Sequence, residues 1–145
     1  MSLKVYGFTE ADLWQWLREI NNRYVTIRMH RVENELAMPG FPDVVYATHR
    51  GPGFIENKIA TAQRRGSEIK LQKLKRDQAL FLEWHARTHK RAHIFAGLVD
   101  VGMEPQLFLI HGVHAPYLLK PCPIDTWRKI AVRVHDIAQL VKIID

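Results

Sequence analysis

Two acids and one amine in the stretch GFPDVVYATHRGPGFIENKIA, residues 40–60, have the types and spacing that could do chemistry. Asp43 lies before, and Glu56 and Lys58 after, a Thr-His-Arg-Gly-Pro segment rich in turn formers. If the flanking apolar runs form a hairpin centred between Arg50 and Gly51, Asp43 falls opposite Lys58 and diagonal to Glu56. All three then share one face, and Asn57 points to the other. Two carboxylates in a half-buried site repel, and a divalent cation removes that repulsion. Oxygen-only ligands suit Mg²⁺ or Mn²⁺ better than zinc. A partly hydrated cation of this kind activates water and organises a phosphate for phosphodiester cleavage. Lys58 would lower the pKa of the attacking water or stabilise the charge developing at phosphorus. A second reading stands equally open at this point: an Asp43–Lys58 salt bridge, with Glu56 on an exposed edge.

The elements that must position these residues can be read from local patterns. Thr9 is a helix cap, with Asp12 three residues on, and Leu13, Trp14, Leu17 and Ile20 follow at helical spacing until Asn21-Asn22. RYVTIRMH (23–30) alternates and predicts a strand, followed by a polar loop. FPDVVYA (41–47) and GFIENKIA (53–60) predict the two hairpin strands. Leu71, Leu74, Ala79, Phe81, Leu82, His85 and Ala86, with no Gly or Pro after Gly66, predict one long helix from about 68 to 89. HIFAGLVDVG and QLFLIHG read as strands. A final helix is expected after Asp125, with Trp127, Ile130, Val134, Ile137 and Val141 on its apolar face. The expected class is α/β, a mixed central sheet flanked by helices.

At 145 residues the chain is most economically one domain with a sizeable core. Twenty-one Lys and Arg against fifteen Asp and Glu leave a net charge of +6, which favours a polyanionic partner. That excess is concentrated in residues 61–91, where nine basic side chains face three acidic ones. Arg64, Arg65, Lys70, Lys73, Lys75 and Arg76 are the candidates for phosphate contact, with a solvated helix face as the competing reading. One cysteine, Cys122, rules out a disulfide framework and suits a reducing interior. The first residues lack a signal peptide's apolar core and no apolar run is long enough for a bilayer, so a soluble, cytoplasmic protein without membrane contact is expected.

The pattern Pro42-Asp43, twelve residues, then Glu56-Asn57-Lys58 resembles the PD-(D/E)xK signature of the restriction-endonuclease-like nuclease superfamily. GFPDVV, IENK, LKRDQ with a following FL, and the apolar strand HIFAGLVD together look like the VRR-NUC and phage Holliday-junction-resolvase branches. The resemblance spans roughly residues 9 to 100. It implies an αβββαβ core, with the C-terminal strand and helix of residues 101–145 added to it, and a Mg²⁺- or Mn²⁺-dependent deoxyribonuclease acting on DNA, including branched or structured DNA. By the same resemblance Asp43 and Glu56 would be metal ligands, joined by the backbone carbonyl of Asn57, with Lys58 catalytic and Gln78 placing a water or phosphate. Glu10 lines up with a first-helix glutamate that joins the site in related enzymes, and Glu33 and Glu35 compete for that role. The chain departs from the family in having Asn57 where an apolar residue is usual.

Two other classes remain in view. A basic nucleic-acid-binding module on the same scaffold would need no catalysis. A zinc protein would use His85, His89 and His93, or His111 and His114, but four-residue histidine steps without an HExxH arrangement or a cysteine partner favour structural histidines. Trp14, Trp16, Trp84 and Trp127 are expected in the core, and Cys122, between two prolines, in a loop. A homodimer would bring a second site to a second strand.

Overall fold

The computed structural model describes residues 7–32, 38–100 and 103–145. Helices α1 (Glu10–Arg18) and α2 (Ile20–Arg23) precede strands β1 (Ile27–Arg31), β2 (Val44–Thr48), β3 (Gly51–Gln63) and β4 (Glu68–Leu71). Helix α3 (Arg76–His89) leads to β5 (Ala92–Val99) and β6 (Gln106–His111). A 3₁₀ segment (Gly112–Leu119), β7 (Cys122–Pro123), α4 (Ile124–Ile130), β8 (Ala131–Val134) and α5 (Ile137–Ile144) complete the chain. The strands form one mixed sheet in the order β1-β2-β3-β5-β6-β8, with β4 branching from β3 and β7 pairing with β4. β3 and β5 are parallel and the other pairs antiparallel, so the chain must cross over between them, and α3 is carried by that crossover.

Helices cover both faces. Phe54 and Ala60 of β3, with Ile94 and Ala96 of β5, pack under Ala79, Leu82 and Ala86 of α3 and Trp127 of α4. On the other face Ile55 and Phe95 pack with Leu13 and Leu17 of α1, Ile20 of α2 and Leu140 and Val141 of α5. The expected mixed sheet flanked by helices is what the chain forms. Thr9 caps α1 as expected, its backbone N–H donating to Asp12 Oδ2 at 2.7 Å. Asn21 does more than stop a helix. Its amide accepts from the Met29 N–H at 2.7 Å and donates to the Met29 carbonyl at 3.0 Å, satisfying backbone groups on edge strand β1.

Two expected helices differ. The segment expected to be helical from 68 begins as β4. Arg64, Arg65 and Gly66 all take positive φ and turn the chain back, so β3 runs on to Gln63 and pairs Ala60 with Leu71. Ile69 and Leu71 then bury while Glu68 and Lys70 stay half-buried, a period of two that four residues could not reveal against a helix. The expected terminal helix is interrupted by β8, whose valines pair with β6. This interruption carries the chain across the sheet edge: Trp127 packs on one face, and Ile137 and Val141 on the other. Asp136 restarts the helix by accepting from the Gln139 N–H at 2.8 Å. Cys122 is not a loop residue. It is fully buried in β7 and paired with Ile69.

No helix among the described residues is long and apolar enough to cross a membrane.

Candidate active site

The hairpin that carries the acids is tied at its turn. The Thr48 hydroxyl accepts from the Arg50 N–H at 3.0 Å and donates to the Gly51 carbonyl at 3.3 Å, while Gly51 takes φ +117°. These bonds centre the turn on His49-Arg50, so Thr48 pairs with Gly51 and Val44 with Ile55. The register is therefore two residues away from the one the sequence suggests. An even slip keeps every side chain on its face. Carried one step further it sets Asp43 directly opposite Glu56 rather than opposite Lys58. Asp43 is held at both ends: its carbonyl accepts from the Val32 N–H at 2.7 Å, and its Oδ2 accepts from the Asn57 N–H at 3.1 Å.

Glu56 and Lys58 are 1% and 3% exposed. Lys58 Nζ lies 3.4 Å from Glu56 Oε1 and donates to the Lys73 carbonyl at 3.2 Å. The salt-bridge alternative is thus corrected: Lys58 pairs with Glu56, which is buried and not on an exposed edge. Gln78, in the first turn of α3, bridges to the same oxygen. Its Oε1 accepts from the Lys75 N–H at 2.9 Å, and its Nε2 donates to Glu56 Oε1 at 3.1 Å. Glu56 Oε2, in contrast, is buried without a partner. Burial, then the Asp43 carboxylate, push the Glu56 carboxyl up to about 8, with Lys58 pulling the other way. The charged form of this carboxylate is poorly compensated, which is the condition a bound cation relieves.

Asn57 projects to the opposite face, as its place in the strand requires. It lines a cavity of about 70 Å³ with Glu10, Trp14, Arg31, Val32 and Asp43, and its Oδ1 is buried without a partner. Burial raises the Glu10 carboxyl, against the pull of Lys58 and with a further push from Asp43. Glu10 therefore shares the electrostatic field of the acids on the hairpin. Glu33 and Glu35 lie outside the described residues. Arg31 escaped the sequence reading because only the β1–β2 register, with Arg31 against Val44, brings it beside Asp43. Among the described residues no group of three or more His, Cys, Asp and Glu side chains is arranged to hold a metal ion. A cation at this site would rest on two carboxylates, backbone oxygens and water.

The basic residues do not form one helix face. Arg64 and Arg65 occupy the β3–β4 turn, on the order of 25 Å along β3 from Glu56. Arg64 lies 3.7 Å from Glu68. Lys70 is on β4, Lys73 is in the following turn, Lys75 caps α3 and Arg76 opens it. Lys73 and Lys75 are the two that border the site: Lys73 lines a depression with Glu10, and Lys75 another with Gln78. The histidines separate likewise. His85 Nδ1 and His89 Nε2 are 2.9 Å apart on α3, whereas His93 is buried beside His111. Of the tryptophans expected inside, Trp127 is buried but Trp84 is 62% exposed.

No protein-family model matches the sequence, and a search of the curated proteins returns no similar one. Among solved structures the chain is similar to the 1.6 Å structure of Archaeoglobus fulgidus Hjc, a Holliday junction resolvase from an archaeal hyperthermophile. The identity is 16% and the TM-score 0.44, over 94% of this chain and 98% of that one.

Proposed function

We propose that this chain is a restriction-endonuclease-like enzyme, of the VRR-NUC and phage Holliday-junction-resolvase kind, that hydrolyses DNA phosphodiester bonds with a divalent cation. The observation that carries the reading is the buried carboxylate of Glu56, set opposite Asp43 with one oxygen unpartnered. A sheet interior tolerates such a group only at a cost of several kcal/mol. Hard carboxylate oxygens fit Mg²⁺ or Mn²⁺, so Asp43 and Glu56 would hold the ion, with the Asn57 carbonyl and Glu10 as further candidates. Bound there, the ion would polarise the scissile phosphate and supply a metal-activated water.

The chain's own groups do the remaining work. Gln78 fixes the Glu56 carboxyl through Oε1 and leaves Oε2 available. Lys58, held between Glu56 and the Lys73 carbonyl, keeps its ammonium at a set position where it would oppose negative charge building on the phosphate. Lys73, Lys75 and Arg31 flank the acids and would neutralise neighbouring phosphates without reading bases. The test is incubation with plasmid and branched DNA in Mg²⁺, Mn²⁺ or EDTA. Cleavage that requires the metal and is lost in Glu56→Ala and Lys58→Ala supports the reading. Cleavage that survives both substitutions removes this site, and binding without any cleavage leaves a basic DNA-binding module.

A further inference from the structure

Helix α3 carries a second feature that the hydrolytic site does not use. Ala79, Leu82 and Ala86 bury against the sheet, yet Trp84 and Leu80, one turn apart, stand 62% and 46% exposed on the outer side. Arg76 and Arg87, both exposed, lie at helical spacing on either side of them, so residues 76, 80, 84 and 87 make one stripe with a guanidinium at each end. The Trp84 ring stands at 79° to His85, at 4.9 Å. From there a run of ring contacts passes through Phe81 to Phe41, two residues before Asp43. Trp84 is six residues beyond Gln78, about 9 Å along the helix axis. A wet tryptophan between two arginines, on a chain of net charge +6, has the chemistry of a base-stacking platform rather than of a core position.

We propose that this face of α3 binds an unpaired nucleic-acid strand, with a base stacked on Trp84 and the adjoining phosphates on Arg76 and Arg87. The Arg87–Glu83 pair, 3.4 Å apart and with most of the Arg87 side chain in solvent, is weak enough to give way to a phosphate. The proposal rests on the nuclease reading only in naming which strand arrives. It makes DNA with unpaired bases a few nucleotides from the scissile bond the preferred substrate.

The experiment is fluorescence anisotropy with a labelled single-stranded oligonucleotide and a blunt duplex of the same sequence. Both are measured in EDTA so that nothing is cut. Trp84→Ala is expected to weaken single-strand binding roughly tenfold or more, and Trp84→Phe to retain most of it. Duplex binding and the melting temperature are expected to stay as in the wild type. Equal loss on both DNAs, or no loss on either, overturns the proposal. So does a change of oligomeric mass in Trp84→Ala, which would make the face a contact between copies. Cleavage is scored separately with Mg²⁺: its absence alongside intact single-strand preference sinks the nuclease reading and leaves this one standing.

Discussion

Replacing Glu56 by Gln isolates the energetic core of the account. With its pKa raised from 4.5 to about 8, the folded chain binds a proton that the unfolded chain has released over that whole interval. Stability is therefore fully present below pH 4.5 and is lost as pH rises through 8. Each tenfold change in proton affinity is about 1.4 kcal/mol. The metal-free wild type should thus lose about 3 kcal/mol by pH 7 and about 4 kcal/mol by pH 8 from this one group. Gln keeps an oxygen for Gln78 Nε2 and carries no charge to set against Asp43, so Glu56→Gln should match the wild type at pH 4.5 and exceed it increasingly above. Urea unfolding in EDTA across pH 4.5–8 reads the difference directly. A wild type whose stability runs parallel to that of the Gln variant over the interval would refute the claim that burial and Asp43 strain this carboxylate.

Other expectations concern its surroundings. His93 is buried and its pKa is lowered to about 4, by burial and then His111, so its contribution is lost as pH falls from 6.5 toward 4. That loss amounts to about 3 kcal/mol, and the acid limb of the stability profile should flatten in His93→Leu. Gly53→Ala would set a Cβ 2.0 Å from the Tyr46 ring, so denaturation should show a loss of about 1–3 kcal/mol as the hairpin yields. Gln78→Ala removes both the acceptor for the Lys75 N–H and the donor to Glu56. Its unfolding free energy should fall by about 1 kcal/mol, and single-turnover cleavage should slow with DNA affinity unchanged.

Which parts were legible follows from what each depends on. The shared face of Asp43, Glu56 and Lys58 was legible because side chains alternate with a period of two, and the real register differs from the inferred one by two. The pairing partners were not, because the Thr48 hydroxyl decides where the turn closes. Gln78 was legible only through the family resemblance, which puts a glutamine on the helix after the hairpin; its bond to Glu56 needs the crossover that lays the first turn of α3 against β3. The six basic residues could be picked as charges but not placed, since three positive φ values at Arg64, Arg65 and Gly66 convert the start of an apparent helix into a strand. β8 was hidden for a similar reason. Its apolar spacing continues that of α4 and α5, and only the exchange of sheet faces between Trp127 and Ile137 demands a break.

The most direct measurement is calorimetric titration of Mn²⁺ into metal-free protein at pH 8, for the wild type, Asp43→Asn and Glu56→Gln. Binding to the wild type should be stoichiometric and weaken as pH falls because the ion displaces the Glu56 proton, and either variant should lose at least tenfold in affinity. Equal Mn²⁺ affinity in all three proteins, or none in the wild type, would contradict this.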